Sequence, residues 1–209
     1  WIRRTAEQGH ADAQLTLGEM YAAGRGVAQD ESAAAWWYRQ AAEQGLPEAQ
    51  YTLGRMYAEG RGVAQDDVAA VTWYREAADR GVATAQLALG GMYFAGQGVA
   101  EDATEGARWW RLAAEQGYLP AQTGLAGRYF DGRGVPQDEA EAVRWYRLAA
   151  EQGDAEVLRW LHQTAEQGSI PAQGNLGEMY ATGRGVAPDV VQAHMWLSLA
   201  AVRASADQR

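Results

Sequence analysis

The chain has 209 residues and carries 18 Lys plus Arg against 27 Asp plus Glu, a net charge of −9. That balance argues against a nucleic-acid groove, which needs basic side chains against phosphate, and against docking on an anionic membrane surface. With no cysteine, disulfide frameworks, thiol catalysis and Cys-ligated zinc are excluded, while cytoplasm and periplasm both stay open. No apolar run approaches the roughly 18 residues that span a bilayer, so membrane insertion is not expected. The sequence begins at Trp1 without a basic-then-apolar leader and reads as a mature, trimmed or excerpted chain.

Residues 1–9, ending Ala6-Glu7-Gln8-Gly9, read as the latter part of a helix whose partner is missing, which points to an upstream repeat in a parent protein. From residue 10 onward a 36-residue period governs the chain. Ala13-Gln14, Ala49-Gln50, Ala85-Gln86 and Ala121-Gln122 keep it, as do Trp37, Trp73, Trp109 and Trp145. In the same phase stand Gly24-Arg25-Gly26-Val27, Gly60-Arg61-Gly62-Val63, Gly96-Gln97-Gly98-Val99 and Gly132-Arg133-Gly134-Val135, with a fifth copy at Gly183-Arg184-Gly185-Val186. Complete units are predicted at 10–45, 46–81, 82–117, 118–153 and 169–204, followed by a tail at 205–209.

Each unit reads as two helices. Helix A runs from about Ala13 to Ala23, with Ala13, Leu17, Met20 and Tyr21 on one stripe and Gly24 as its left-handed stop. Asp30, Asp66, Asp102, Asp138 and Asp189 stand before helix B, where a carboxylate can accept free backbone N–H groups. Helix B carries Ala34, Trp37, Tyr38 and Ala41 at helical spacing, and the phased tryptophans at 37, 73, 109, 145 and 196 are predicted core. Gly18, Gly54, Gly90 and Gly177 sit inside helix A at a cost of about 1 kcal/mol each. A cost repeated in phase predicts a close helix crossing against the large Trp or Tyr of a neighbour. On helix B, Arg39, Arg75, Arg111 and Arg147 precede Glu43, Asp79, Glu115 and Glu151 by four residues and are predicted to pair on a solvated face.

Between 153 and 169 the period breaks. Residues 154–168 lack the glycine loop, beginning like helix A and ending like helix B, with Trp160 lying 15 residues after Trp145 and 36 before Trp196. That spacing fits an internal deletion of 21 residues, and a single helix among hairpins reverses the direction of everything after it unless it bulges from the stack. At the end of the chain the run through Ser205, Asp207, Gln208 and Arg209 is polar enough to cap a repeat array. The fold class is all-α, a solenoid of αα-hairpins.

The pattern Ala-Gln-x-x-Leu-Gly-x-Met-Tyr-x-x-Gly-x-Gly-Val-x-x-Asp, then Ala-x-x-Trp-Tyr and Ala-Ala-Glu-Gln-Gly, resembles the Sel1-like repeat, a branch of the tetratricopeptide-type superfamily. The resemblance covers nearly the whole chain. It implies a right-handed superhelix, helix A lining the concave surface, and an adaptor or scaffold role usually without enzymatic activity.

Chemical motifs are missing where they would be needed. The Gly-Arg-Gly-Val loops follow helices and lack the Gly-Lys-Ser/Thr ending of a phosphate loop. His10, His162 and His194 occupy non-equivalent positions with no metal-ligand spacing, and no Gly-x-Ser-x-Gly elbow is present. No catalytic, metal or cofactor residue is therefore assigned. Function is read instead from what differs between copies. Positions equivalent to Leu15, Thr16, Glu19, Ala22 and Ala23 change freely and form one continuous helix face. On it, Phe94 and Phe130 occupy equivalent places in adjacent units, each three residues after a glycine, Gly91 or Gly127. The expected site is a groove for a protein or peptide, with Phe94 and Phe130 at its centre and Tyr51, Arg55, Glu59 and Asp131 around them. Self-association of a structural fragment is the first alternative, and a small-ligand binder or enzyme the second.

Overall fold

The computed structural model describes residues 1–207, which form twelve α-helices and no strand. Gln208 and Arg209, assigned above to a terminal cap, lie outside the described residues. The short α1 (Ile2–Glu7) precedes three hairpins: α2 (Ala11–Ala23) with α3 (Glu31–Glu43), α4 (Pro47–Glu59) with α5 (Asp67–Asp79), and α6 (Ala83–Ala95) with α7 (Ala103–Glu115). Next come α8 (Leu119–Asp131) with α9 (Glu139–Glu151), the lone α10 (Ala155–Glu166), and α11 (Ile170–Thr182) with the longer α12 (Val190–Asp207). The chain divides into two compact units, the first Trp1–Ala113 and the second from Ala114 onward.

The helix ends are set by local chemistry. Gly24, Gly60, Gly96, Gly132 and Gly183 close the first helix of each hairpin with φ between 63° and 73°, a conformation that side chains with a Cβ resist. The next helix opens on an aspartate: Asp30 accepts the Ala33 N–H at 2.9 Å, Asp66 that of Ala69 at 3.0 Å, and Asp138 that of Glu141 at 3.0 Å. Asp102 and Asp189 each accept two such bonds.

Packing follows the repeat. Leu17, Leu53, Leu89, Leu125 and Leu176 are fully buried, each contributing about 1.5–3 kcal/mol by leaving water. Small residues let the helices approach. A Cβ at Gly18 or Gly54 would stand 2.8 Å from the ring of Tyr38 or Tyr74, and Gly90 backs onto Trp110 in the same way. These three mid-helix glycines are thus seats for an aromatic side chain of the following helix, whereas Gly177 faces Leu197 in place of the expected Trp or Tyr. Trp109, Trp145 and Trp196 are buried as expected, whereas Trp37 and Trp73 are only half-buried.

Two polar ladders run through the same joints. Gln14, Gln50, Gln122 and Gln173 are buried, and each amide donates to a carbonyl eight residues back, at Ala6, Ala42, Ala114 and Ala165. Gln44 and Gln152 in turn donate to the side-chain oxygens of Gln14 and Gln122, both at 2.7 Å. Where the chain has Arg80 or Arg203 instead, the guanidinium turns to the Gly45 or Gly168 carbonyl, and the oxygen of Gln50 or Gln173 is left buried without a partner. The second ladder corrects a sequence expectation. Arg147 does pair with Glu151 at 3.1 Å, but Arg39 and Arg75 donate to the hydroxyls of Tyr57 and Tyr93 on the next helix. Arg3 reaches Tyr21 at 2.8 Å, and His162 takes this place opposite Tyr180 at 2.9 Å. A tyrosine on a packed neighbour offers the guanidinium a fixed acceptor and ring contact, which a solvent-screened i,i+4 carboxylate does not.

The lone helix α10 changes the direction of the chain. Gly153 starts it with the same turn that Gly45 makes, its N–H bonded to the carbonyl three residues back. Leu158 then replaces the buried glutamine, and the far end of α10 receives Gln173 as an ordinary helix B would. In regular units the second loop glycine lies against the start of the preceding helix B, Gly62 on Glu31 and Gly98 on Asp67. Gly185 instead lies against Ala150 and Glu151, at the end of α9. The two glycine loops of the second unit therefore leave at opposite ends of α9, as an odd helix requires.

Candidate functional site

The variable face of helix A has a different character in each unit. In the first, Tyr51 on α4 is half-buried with its ring 5.8 Å from that of Tyr74. Arg55, one turn further, is exposed, and its charge acts on the hydroxyls of both Tyr38 and Tyr74. Burial pushes Tyr38 up to about 12, with Glu19 adding to the rise, and burial raises Tyr74 further, helped by Tyr51 and Glu59. Exposed Glu59 contacts Arg61 at 3.5 Å, while Arg61 is held more tightly by Glu31 at 2.6 Å. Phe94 is half-buried, its ring 4.6 Å from Trp110 at 68° and seated over Gly106, where a Cβ would come within 3.1 Å of it. Gly91, one turn before it, has nothing within 4 Å of the place a Cβ would take, so the surface beside Phe94 is open.

In the second unit Phe130 is 44% exposed and its ring stands 5.7 Å from Trp160 at 84°. Trp160 in turn packs 4.3 Å from Tyr146, whose hydroxyl is raised by burial and by the nearby carboxylate of exposed Asp131. Phe130 and Trp160 form the aromatic wall of a cleft of about 600 Å³. Gln137 and Glu139, from the α8–α9 connection and the start of α9, contribute to its lining. Gln163 and Thr164 from the last turn of α10 line it too, with Gln167 and Ser169 just beyond that helix.

Of the residues singled out in sequence, Tyr51, Arg55, Glu59 and Phe94 lie on the first unit, and Phe130 and Asp131 on the second. Neither phenylalanine is core. The residue that the groove reading missed is Trp160, which served in sequence only to measure the internal deletion. Its signal was the break in period around it. Among the described residues no cluster of three or more His, Asp or Glu side chains could hold a metal ion. No described helix is long and apolar enough to cross a membrane.

Comparison with known proteins settles the family. The Sel1 repeat model matches residues 11–46, 47–82, 83–118, 119–154 and 170–201, leaving α10 outside every match. The chain is a Sel1-repeat protein. Such proteins generally mediate protein–protein interactions and are generally scaffolds without enzymatic activity. Among solved structures it is similar to c5321 of Escherichia coli, a protective antigen present in uropathogenic strains, with 38% identity and a TM-score of 0.72. That match covers 97% of this chain and 48% of c5321, so the chain spans about half the length of that relative. It is also similar to a Sel1 repeat protein from Oxalobacter formigenes, with 34% identity and a TM-score of 0.68 over 93% of this chain and 74% of the other. No curated protein matches it in sequence.

Proposed function

We propose that this Sel1-repeat chain is a non-enzymatic scaffold that recruits a protein or peptide on the variable face of its helix-A elements. The observation that carries the reading is the exposure of Phe130 and the half-exposure of Phe94, large apolar rings at a variable repeat position. Each has a polar surround: Tyr51, Arg55 and Glu59 in the first unit, Asp131 in the second. Aromatic anchors rimmed by polar groups are the common arrangement of interface hot spots. Invariant small and apolar residues on the opposite side of helix A pack the core, so the variable side is free to differ with the partner.

Affinity capture from native lysate tests this, comparing wild type with the folded triple variant Arg55→Glu/Phe94→Ala/Phe130→Ala. A partner retained only by wild type supports the reading; a partner retained equally by both contradicts it. Self-association is the second reading, favoured by the apolar surface of α12, where Val190 is 82%, Val191 77% and Val202 67% exposed. It requires a molar mass in solution that rises with concentration.

A further inference from the structure

The cleft beside Phe130 supports a narrower assignment, which rests on the partner-binding reading above. We propose that the cleft between Phe130, Trp160 and Glu139 receives an arginine side chain of the partner. Glu139 supplies the charge. It is exposed, and no ion pair engages it among the described residues, whereas Glu141 two positions on is held by Arg144 at 3.1 Å. In the same lining, Gln163, Thr164 and Gln167 bring side-chain acceptors at the C-terminal end of α10, the end of a helix that carries partial negative charge.

The aromatic wall suits the planar guanidinium in particular. Phe130 and Trp160 stand nearly perpendicular, so one offers a face where the other offers an edge, and guanidinium stacks on such faces while fanning donors to several acceptors. A lysine ammonium would use fewer of the acceptors present. An anionic ligand is disfavoured, because the helix starts near the cleft are already satisfied. Asp138 accepts the Glu141 N–H at the start of α9, and Ser169 accepts the Ala172 N–H at the start of α11.

The chain itself contains a precedent. Arg203 donates to the Gly168 carbonyl at 3.1 Å, at the turn that closes α10, as Arg80 does at Gly45. Arg203 is not among the side chains that line the cleft, so it leaves the cleft open. The volume of about 600 Å³ exceeds one side chain and lies within the roughly 300–1,000 Å³ of ligand sites. The remaining space admits flanking peptide backbone, which the glutamine amides can both donate to and accept from. The net charge of −9 adds long-range attraction for a basic segment.

The experiment titrates the isotope-labelled full chain with Nα-acetyl-arginine amide and with its neutral isostere Nα-acetyl-citrulline amide, following the NMR signals of Trp160, Gln163 and Gln167. The proposal expects saturable shifts with the arginine amide, weakened at least tenfold for citrulline and at least tenfold by Glu139→Gln. That substitution is on an exposed side chain and leaves the fold intact. Equal binding of the two amides, or arginine binding indifferent to Glu139→Gln, overturns it. A cleft that ignores the arginine amide while capture still depends on Arg55 and Phe94 overturns the arginine site alone. Capture indifferent to the triple substitution overturns the reading beneath it.

Discussion

Two adjacent glycines in α6 should respond to the same substitution with opposite signs. At Gly91 a Cβ would meet nothing within 4 Å, so Gly91→Ala gains helix propensity alone, about 0.4–1 kcal/mol of stabilisation. At Gly90 the same atom would lie 2.7 Å from Trp110 Nε1 and 2.8 Å from the Gly106 carbonyl, both too close. Trp110 must move, and its indole N–H then loses the 2.9 Å hydrogen bond to the Leu87 carbonyl. Overpacking costs about 1–3 kcal/mol and the lost bond about 1 kcal/mol, against a propensity gain of about 1 kcal/mol. Gly90→Ala should therefore destabilise by about 1–3 kcal/mol. Urea unfolding followed by circular dichroism measures both midpoints against wild type. Shifts of the same sign would refute the claim that Gly90 is a seat and Gly91 a free surface.

Other joints give further expectations. Arg80→Gln should supply the partner that the buried Gln50 oxygen lacks, as Gln152 does for Gln122, and stabilise by about 1 kcal/mol. The gain should vanish in a Gln50→Leu background, and a double-mutant cycle without coupling would contradict it. Asp66→Ala removes the cap on α5 and should cost about 1 kcal/mol in chemical unfolding, while an unchanged midpoint would show the cap to be idle. Tyr38, Tyr74 and Tyr146 have hydroxyls raised by burial, Tyr38 to about 12. Because these folded values exceed the unfolded one near 10, their contribution is complete below pH 10 and is lost as pH rises through the folded values. The urea midpoint should fall from pH 10 upward, less steeply in Tyr38→Phe, and a flat profile would contradict the assignment.

What could be read from sequence depended on how local the cause was. Asp30 and its equivalents cap helices through bonds two or three residues away, and Gly24 and its equivalents close them, so spacing alone located both. The glycine seats were legible because their cost recurs in phase with the large side chain that repays it. Arg39 and Arg75 were misread because their partners lie 18 residues on, across a helix joint, and nearby carboxylates offered a simpler pairing. Constant spacing of 18 from Arg3 to Tyr21, Arg39 to Tyr57 and Arg75 to Tyr93 is the pattern that records the true contact. At the site, Phe130 stood out as one of two phenylalanines at a variable position. Its cleft did not, because Trp160 keeps the tryptophan phase while sitting on a helix that has no hairpin partner of its own.

The most direct test of partner binding on the variable face is photo-crosslinking in native lysate. A photoreactive phenylalanine analogue replaces Phe94 or Phe130 in one set of chains and exposed Trp36 on helix α3 in another. The account predicts one crosslinked partner from the Phe94 or Phe130 positions and none from position 36. The same partner captured from position 36 alone would contradict it.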